Sequence, residues 1–294
     1  MGYKWGPSVA TGAQSSYITN GSSTLWVTQN QLVGTIKRVD AATPAVTATL
    51  SGYANPFAIE YAFGSIWVGT GTGIYRINPA TNTAIASILT ITDPLAFTFD
   101  GTWLYAVEQF TVSQIDPTTN LVNATYSIPS GLAQNATTGS GSLWITTSGG
   151  VLRVNPTTLV LQATITNSTN NFYGITYAFG SVWAGTVGSF PVPGTITRIN
   201  PATNAVTASI GGWGPYDVPQ EIISDGTAIW FYGAAAVRIN VATNTVTDNL
   251  FPPSAAIPAG IGVDDYNKVW VSYSSAINRI DPAGGIFTDG ASHL

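Results

Sequence analysis

Apolar and polar positions alternate with period two along most of the chain, in short runs bounded by Gly, Pro, Asn, Asp and Ser. That pattern predicts short strands and no helix of useful length. Gly64 to Ile88, GSIWVGTGTGIYRINPATNTAIASI, shows the unit. Ser65 to Thr70 alternates apolar and small residues around Trp67 and Val68. The Gly/Thr run Gly69 to Gly73 then reverses the chain, because glycine takes positive φ at little cost. Ile74 to Ile77 is a second strand, with Tyr75 and Ile77 on one face and Ile74 and Arg76 on the other. Asn78-Pro79-Ala80-Thr81-Asn82 reverses the chain again. Its proline fixes φ at about −65°, and its asparagine tolerates the left-handed conformation of a compact turn. Thr83 to Ile88 is a third strand, and Phe57 to Phe63 upstream supplies a fourth. The unit is a four-stranded meander.

Two anchors count the units. Tryptophan recurs at Trp26, Trp67, Trp103, Trp144, Trp183, Trp230 and Trp270. The next strand recurs as Arg38-Val39-Asp40, Arg76-Ile77-Asn78, Gln114-Ile115-Asp116, Arg153-Val154-Asn155, Arg198-Ile199-Asn200, Arg238-Ile239-Asn240 and Arg279-Ile280-Asp281. Seven units with a period of roughly 40 residues predict an all-β, seven-bladed β-propeller of four-stranded antiparallel blades. It forms a single domain over 1–294, with blades near 14–50, 51–88, 89–128, 129–165, 166–210, 211–250 and 251–289. Either Tyr3-Lys4-Trp5 or Gly284 to Asp289 could close the ring.

Composition narrows the partners. Charged residues make up 8% of the chain, against a usual level of about 25%, so Thr, Ser, Asn, Gln and Gly carry the surface. A net charge of −5 supplies no basic footprint for nucleic acid. No run approaches membrane-spanning length, and the absence of cysteine excludes disulfides and thiol chemistry. MGYKWGPSVATGAQSS lacks the apolar core of a leader, whereas a charge-poor, cysteine-free surface suits exposure outside the cell. A virion component, made in the cytoplasm and later exposed, satisfies both.

Candidate binding residues lie on the face with variable connections, since rigid scaffolds carry recognition on their loops. The loop Gly185 to Gly194 contains Phe190, Pro191 and Pro193. The connection Gly211 to Gln220 carries Trp213, Pro215, Tyr216 and Asp217, with Glu221 just behind. These offer large apolar anchors at low ordering cost, or else plug the channel mouth. Arg38, Arg76, Arg153, Arg198, Arg238 and Arg279 form a ring that reads as structural, each guanidinium stacking on tryptophan and bonding main-chain carbonyls between blades. An anion-binding circle is the alternative. The carboxylates Asp93, Asp100, Glu108, Asp217, Glu221, Asp225, Asp264 and Asp265 cluster loosely and fit no calcium loop. Asp100-Gly101 and Asp225-Gly226 read as turns. The sole histidine, His293, is penultimate, which leaves nothing for a histidine mechanism or metal cluster. Sequons at Asn20, Asn123, Asn135 and Asn167 are permissive only.

Segments such as LWVTQNQLVGTIKRVDAATPAVTATL and IWVGTGTGIYRINPATNTAIASI resemble the YVTN-type β-propeller repeat over about residues 14 to 289. They depart from it at Gln114 and at Val241, which replaces the turn proline. The resemblance implies surface-layer, adhesion or ligand-binding propellers more often than enzymes. A more distant resemblance is to the streptogramin lyase propellers, which use histidine and glutamate with a divalent metal; no matching histidine exists here. The functional expectation is therefore a non-enzymatic structural or binding propeller on a virion or cell surface. It would engage a protein or surface glycan through Phe190, Trp213, Tyr216, Asp217 and Glu221, without cofactor, metal or membrane insertion. A carbohydrate-binding module stacking sugars on Trp213 and Tyr216 is one alternative. A lyase or hydrolase with Asp217 and Glu221 as its acid–base pair is the other.

Overall fold

A computed structural model describes residues 2–12, 14–166, 171–188, 194–213, 218–252 and 258–282. These residues form seven four-stranded antiparallel sheets arranged as a β-propeller, with no helix among them. Blade two runs outward through Ile59–Ala62, Ser65–Thr70, Gly73–Asn78 and Thr83–Ile88. Burial falls in the same direction. Ser65–Thr70, covered on both faces by neighbouring blades, is buried throughout, whereas Thr83–Ile88 is exposed over most of its length. A strand covered on both faces needs small and apolar residues at every position, which explains SIWVGT.

Strand Tyr3–Ala10 closes the ring as the outer strand of blade seven, pairing with Ala276–Pro282 in a register that sets Tyr3 against Pro282 and Val9 against Ile277. The alternative closure, Gly284 to Asp289, lies outside the described residues.

Blade three corrects one anchor of the count. In six blades the buried tryptophan pairs with the arginine of the next strand, as Trp67 does with Arg76. In blade three the residue opposite Gln114 is Tyr105, not Trp103. Trp103 precedes the strand and packs on the core from its edge, partly buried. Counting tryptophans gave the right number of blades through a residue two positions out of register.

The arginines tie each blade to the next. Arg38, Arg76, Arg153 and Arg198 stand 4.7–5.4 Å from the centroid of their own blade's tryptophan. Each donates to a turn carbonyl of the following blade, at Pro79, Pro117, Pro201 and Val241, and to the asparagine closing that turn, at Asn82, Asn120, Asn204 and Asn244. Those asparagines hold φ of 55–60°, so one residue supplies both the left-handed turn and the acceptor. Blade three changes this junction as a set. Gln114 still donates to Pro156 O at 2.8 Å, but the closing residue of blade four is Leu159, which offers no acceptor. The Tyr105 hydroxyl bonds the same carbonyl. At the closure, Arg238 lies 5.2 Å from the ring of Tyr3, and Arg279 pairs with Asp281 at 2.9 Å.

Candidate functional site

The inner strands of all seven blades enclose an axial cavity of about 370 Å³. Reading across the register from each tryptophan, or from Tyr105 in blade three, gives one residue per blade: Thr19, Glu60, Thr98, Thr137, Thr176, Ile223 and Gly262. Threonine stands there in four blades; Glu60, Ile223 and Gly262 depart from it, and of these Glu60 alone brings a charge. Two positions earlier stand Tyr17, Ala58, Ala96, Asn135, Gly174, Glu221 and Gly260, where four of the seven are alanine or glycine and Glu221 is the one acidic residue. Glycine there reflects crowding. A Cβ on Gly260 would come within 2.1 Å of the Ser16 carbonyl oxygen, and one on Gly174 within 2.8 Å of that of Gln220.

Both glutamates line the cavity. Each is only partly covered, because the channel admits water, yet protein surrounds it on every side, so ionisation is costly. Burial pushes the Glu60 carboxyl up to about 7, against the opposing bonds from the Tyr61 N–H, 3.0 Å away, and the Thr19 side chain. Burial also pushes Glu221 up to about 8, opposed by the Ile261 N–H at 3.0 Å and assisted by the charge of Glu60. The two therefore titrate as a pair near neutrality. Two phenols flank Glu221. Tyr17 is raised by burial and then by the Glu221 charge, and Tyr232, which donates to Ala259 O at 2.9 Å, is raised by burial, Tyr17 and Glu221. Among the described residues lining the cavity there is no lysine, arginine or histidine.

The other carboxylates are structural. Asp100, Asp225 and Asp264 each cap a turn through one oxygen and accept, through the other, from the ring of their own blade: Tyr105 Oη at 2.8 Å, Trp230 Nε1 at 2.7 Å and Trp270 Nε1 at 2.8 Å. Trp26, Trp67, Trp144 and Trp183 use a main-chain carbonyl instead. A buried indole N–H without an acceptor is costly, and aspartate at the turn is the second way to supply one. Glu108 accepts from Thr111 and Ser113, and Asp265 from Asn20.

The loop cluster of blades five and six is only partly described. Phe190, Tyr216 and Asp217 lie outside the described residues, as do His293 and Asn167. Trp213 is 6% exposed and packs in the core of blades five and six, 4.7 Å from the Phe231 ring in an edge contact. It is a core residue rather than a presented anchor. Glu221 lines the axial cavity together with Glu60, and the Asp217 expected beside it lies outside the described residues. Of the sequons, Asn20 and Asn135 line the channel and Asn123 donates to Gln114 Oε1 at 2.6 Å.

Fold and site together define a seven-bladed β-propeller with an acidic axial channel. Among solved structures, the chain is similar to one described as "Streptogramin B lyase structure", with a TM-score of 0.79 and 17% identity over 95% of this chain and 98% of that one. No family profile and no curated protein matches the sequence, so the YVTN-type repeat rests on the motif alone. Identity this low, in an architecture matched by 1500 solved chains, speaks for the fold and not the activity, and the fold is compatible with enzymes and non-enzymes alike. The expectation of a non-enzymatic structural or binding propeller on a virion or cell surface is nevertheless corrected. The fold neighbour is an enzyme, the described part of the expected docking cluster is core, and no feature found supports a virion, adhesion or glycan-binding role. The metal of the lyase propellers does not fit this channel either. Among the described residues no group of three or more His, Cys, Asp or Glu could hold a metal.

Proposed function

We propose that the axial channel is an acid–base site that carries out an elimination on a small polar substrate. The observation that carries this reading is the Glu60–Glu221 pair itself. Two carboxyls stand at positions where the repeat mostly supplies threonine or a small residue, without a counter-charge among the described lining residues, and burial raises them to about 7 and about 8. A buried carboxyl without a cation costs stability, and paired carboxyls poised near pH 7 suit proton transfer. At pH 7.5 the pair holds about one proton. Glu60, of lower affinity, removes a proton from the carbon beside a carbonyl. The C–H electron pair becomes the new double bond, the bond to the leaving group breaks, and Glu221 delivers its proton to that group. Exchange with channel water restores both carboxyls.

Testing it requires β-substituted carboxylic esters and cyclic esters, streptogramin B among them, followed by the rise in ultraviolet absorbance of the conjugated product. Turnover should appear and fall by about 10²–10⁴ in Glu60→Gln and in Glu221→Gln. A wild-type protein silent across the panel, or variants as active as wild type, overturns the reading.

A further inference from the structure

We propose that the ligand taken by the axial channel is a small organic cation of the alkylammonium class, an inference that rests on the channel being the functional site but not on its catalysing an elimination. Two acceptors converge on the cavity, the carboxyls of Glu60 and Glu221. Once ionised they can only accept, so what they lack is an N–H or O–H from outside the fold.

Charge decides between the donors. The described lining offers two carboxyls, with Asp265 beside Asn20, and no basic side chain, so an anion would meet repulsion without compensation. A cation would meet attraction from both carboxylates, strengthened by the protein that surrounds them. An ammonium also presents three donors, whereas an alcohol presents one.

Shape supplies the rest. Threonines and Asn135 alternate with Ile59, Phe97, Ile175 and Ile223 around the lining, so polar and apolar surface are interspersed on the wall. A ligand with an ammonium head and a short alkyl body can use both. The cavity volume of about 370 Å³ lies within the range of about 300–1,000 Å³ typical of small-molecule sites.

Titration calorimetry on the full chain at pH 8, with n-butylammonium, n-butanol and butyrate as probes of equal length and differing charge, tests the inference. Butylammonium should bind one to one, butanol at least about tenfold more weakly, and butyrate not at all. A cation beside the pair lowers both carboxyl affinities, so binding should release protons, read as a heat that varies with the ionisation enthalpy of the buffer. The groups facing the pair are the phenols of Tyr17 and Tyr232, which stay neutral over this range. Affinity should therefore fall by about tenfold per pH unit between about pH 8 and about pH 7, where one glutamate is protonated, and more steeply below, where both are. The double variant Glu60→Thr with Glu221→Ala, which installs residues the repeat itself uses at these levels, should abolish binding while retaining the β-sheet circular dichroism spectrum. Should that variant fail to fold, the isosteric Glu60→Gln should weaken butylammonium at least tenfold and leave butanol unchanged. Butanol or butyrate binding as tightly as butylammonium, or butylammonium binding that survives loss of the carboxyls, overturns the inference. Elimination of neutral substrates without ammonium binding would sink this inference and leave the proposed catalysis standing. Ammonium binding by a protein silent in the elimination screen would do the reverse.

Discussion

The arginine ring and the axial carboxyls are built on the same repeat, yet they treat charge in opposite ways. Around the rim, Arg38, Arg76, Arg153 and Arg198 obey the repeat, and each guanidinium finds an indole face, a turn carbonyl and an asparagine. On the axis, Glu60 and Glu221 violate the repeat, and no cation answers them among the described lining residues. Repetition is what a scaffold needs, because every junction faces the same packing problem. An exception that costs stability needs another reason to persist, and in this molecule such exceptions converge on the cavity.

The comparison can be broken most decisively at the axis. Losing either glutamate should lower turnover by about 10²–10⁴, equivalent to about 3–5 kcal/mol of transition-state stabilisation; equal turnover would make the exceptions idle. Next in size, Trp213→Ala should destabilise the fold by about 3–5 kcal/mol in urea unfolding, as for other buried large aromatics. A loss under about 1 kcal/mol would return Trp213 to the surface and to a recognition role. On the rim, Arg153→Ala should cost about 2–3 kcal/mol by the same measurement, since it strips charged hydrogen bonds from Pro201, Asn204 and Ser142. No cost would mean that the ring is free for an anion.

Blade three sharpens the rule on a smaller scale. Gln114→Arg and Leu159→Asn should each be unfavourable alone and partly rescue each other, with a coupling of about 0.5–2 kcal/mol in a double-mutant cycle. Additive effects would show that the junction is not a unit. The axis also sets a pH dependence. Both glutamates bind protons more tightly folded than unfolded, so they favour the native state in acid. That contribution is complete below the ordinary carboxyl value of 4.5 and is lost as pH rises through about 7 and about 8. Stability should fall across that window, and Glu60→Thr should flatten the fall; a rise would reverse the assignment of burial as the main cause.

Architecture was legible because tryptophan and arginine recur where radial packing demands a large apolar body and a reach to the next blade. The third blade misled because Trp103 sits near the position that Tyr105 fills, and only pairing with Gln114 tells them apart. Glu60 was passed over because a glutamate in AIEYAFGS reads as an ordinary polar residue in an alternating strand. The signal was nonetheless present. Seven residues before Trp26, Tyr105, Trp144 and Trp183 lies threonine, and seven before Trp67 lies glutamate. Glu221 was singled out for its neighbours Trp213 and Asp217, whereas its surroundings are the channel and a partner four blades along the chain. Sequence proximity does not report contacts across a ring.

The pairing of Tyr3–Ala10 with Ala276–Pro282 also bears on how the molecule comes into being. These segments are separated by nearly the whole chain, so the loop they close is about as long as the chain allows, and non-local pairing of this kind is slow. During synthesis the first strand emerges without a partner and waits while seven sheets are made, its hydrogen-bonding edge open to other chains. Until Ala276 and its neighbours leave the ribosome the ring stays an open arc, with two blade faces exposed that the finished circle hides.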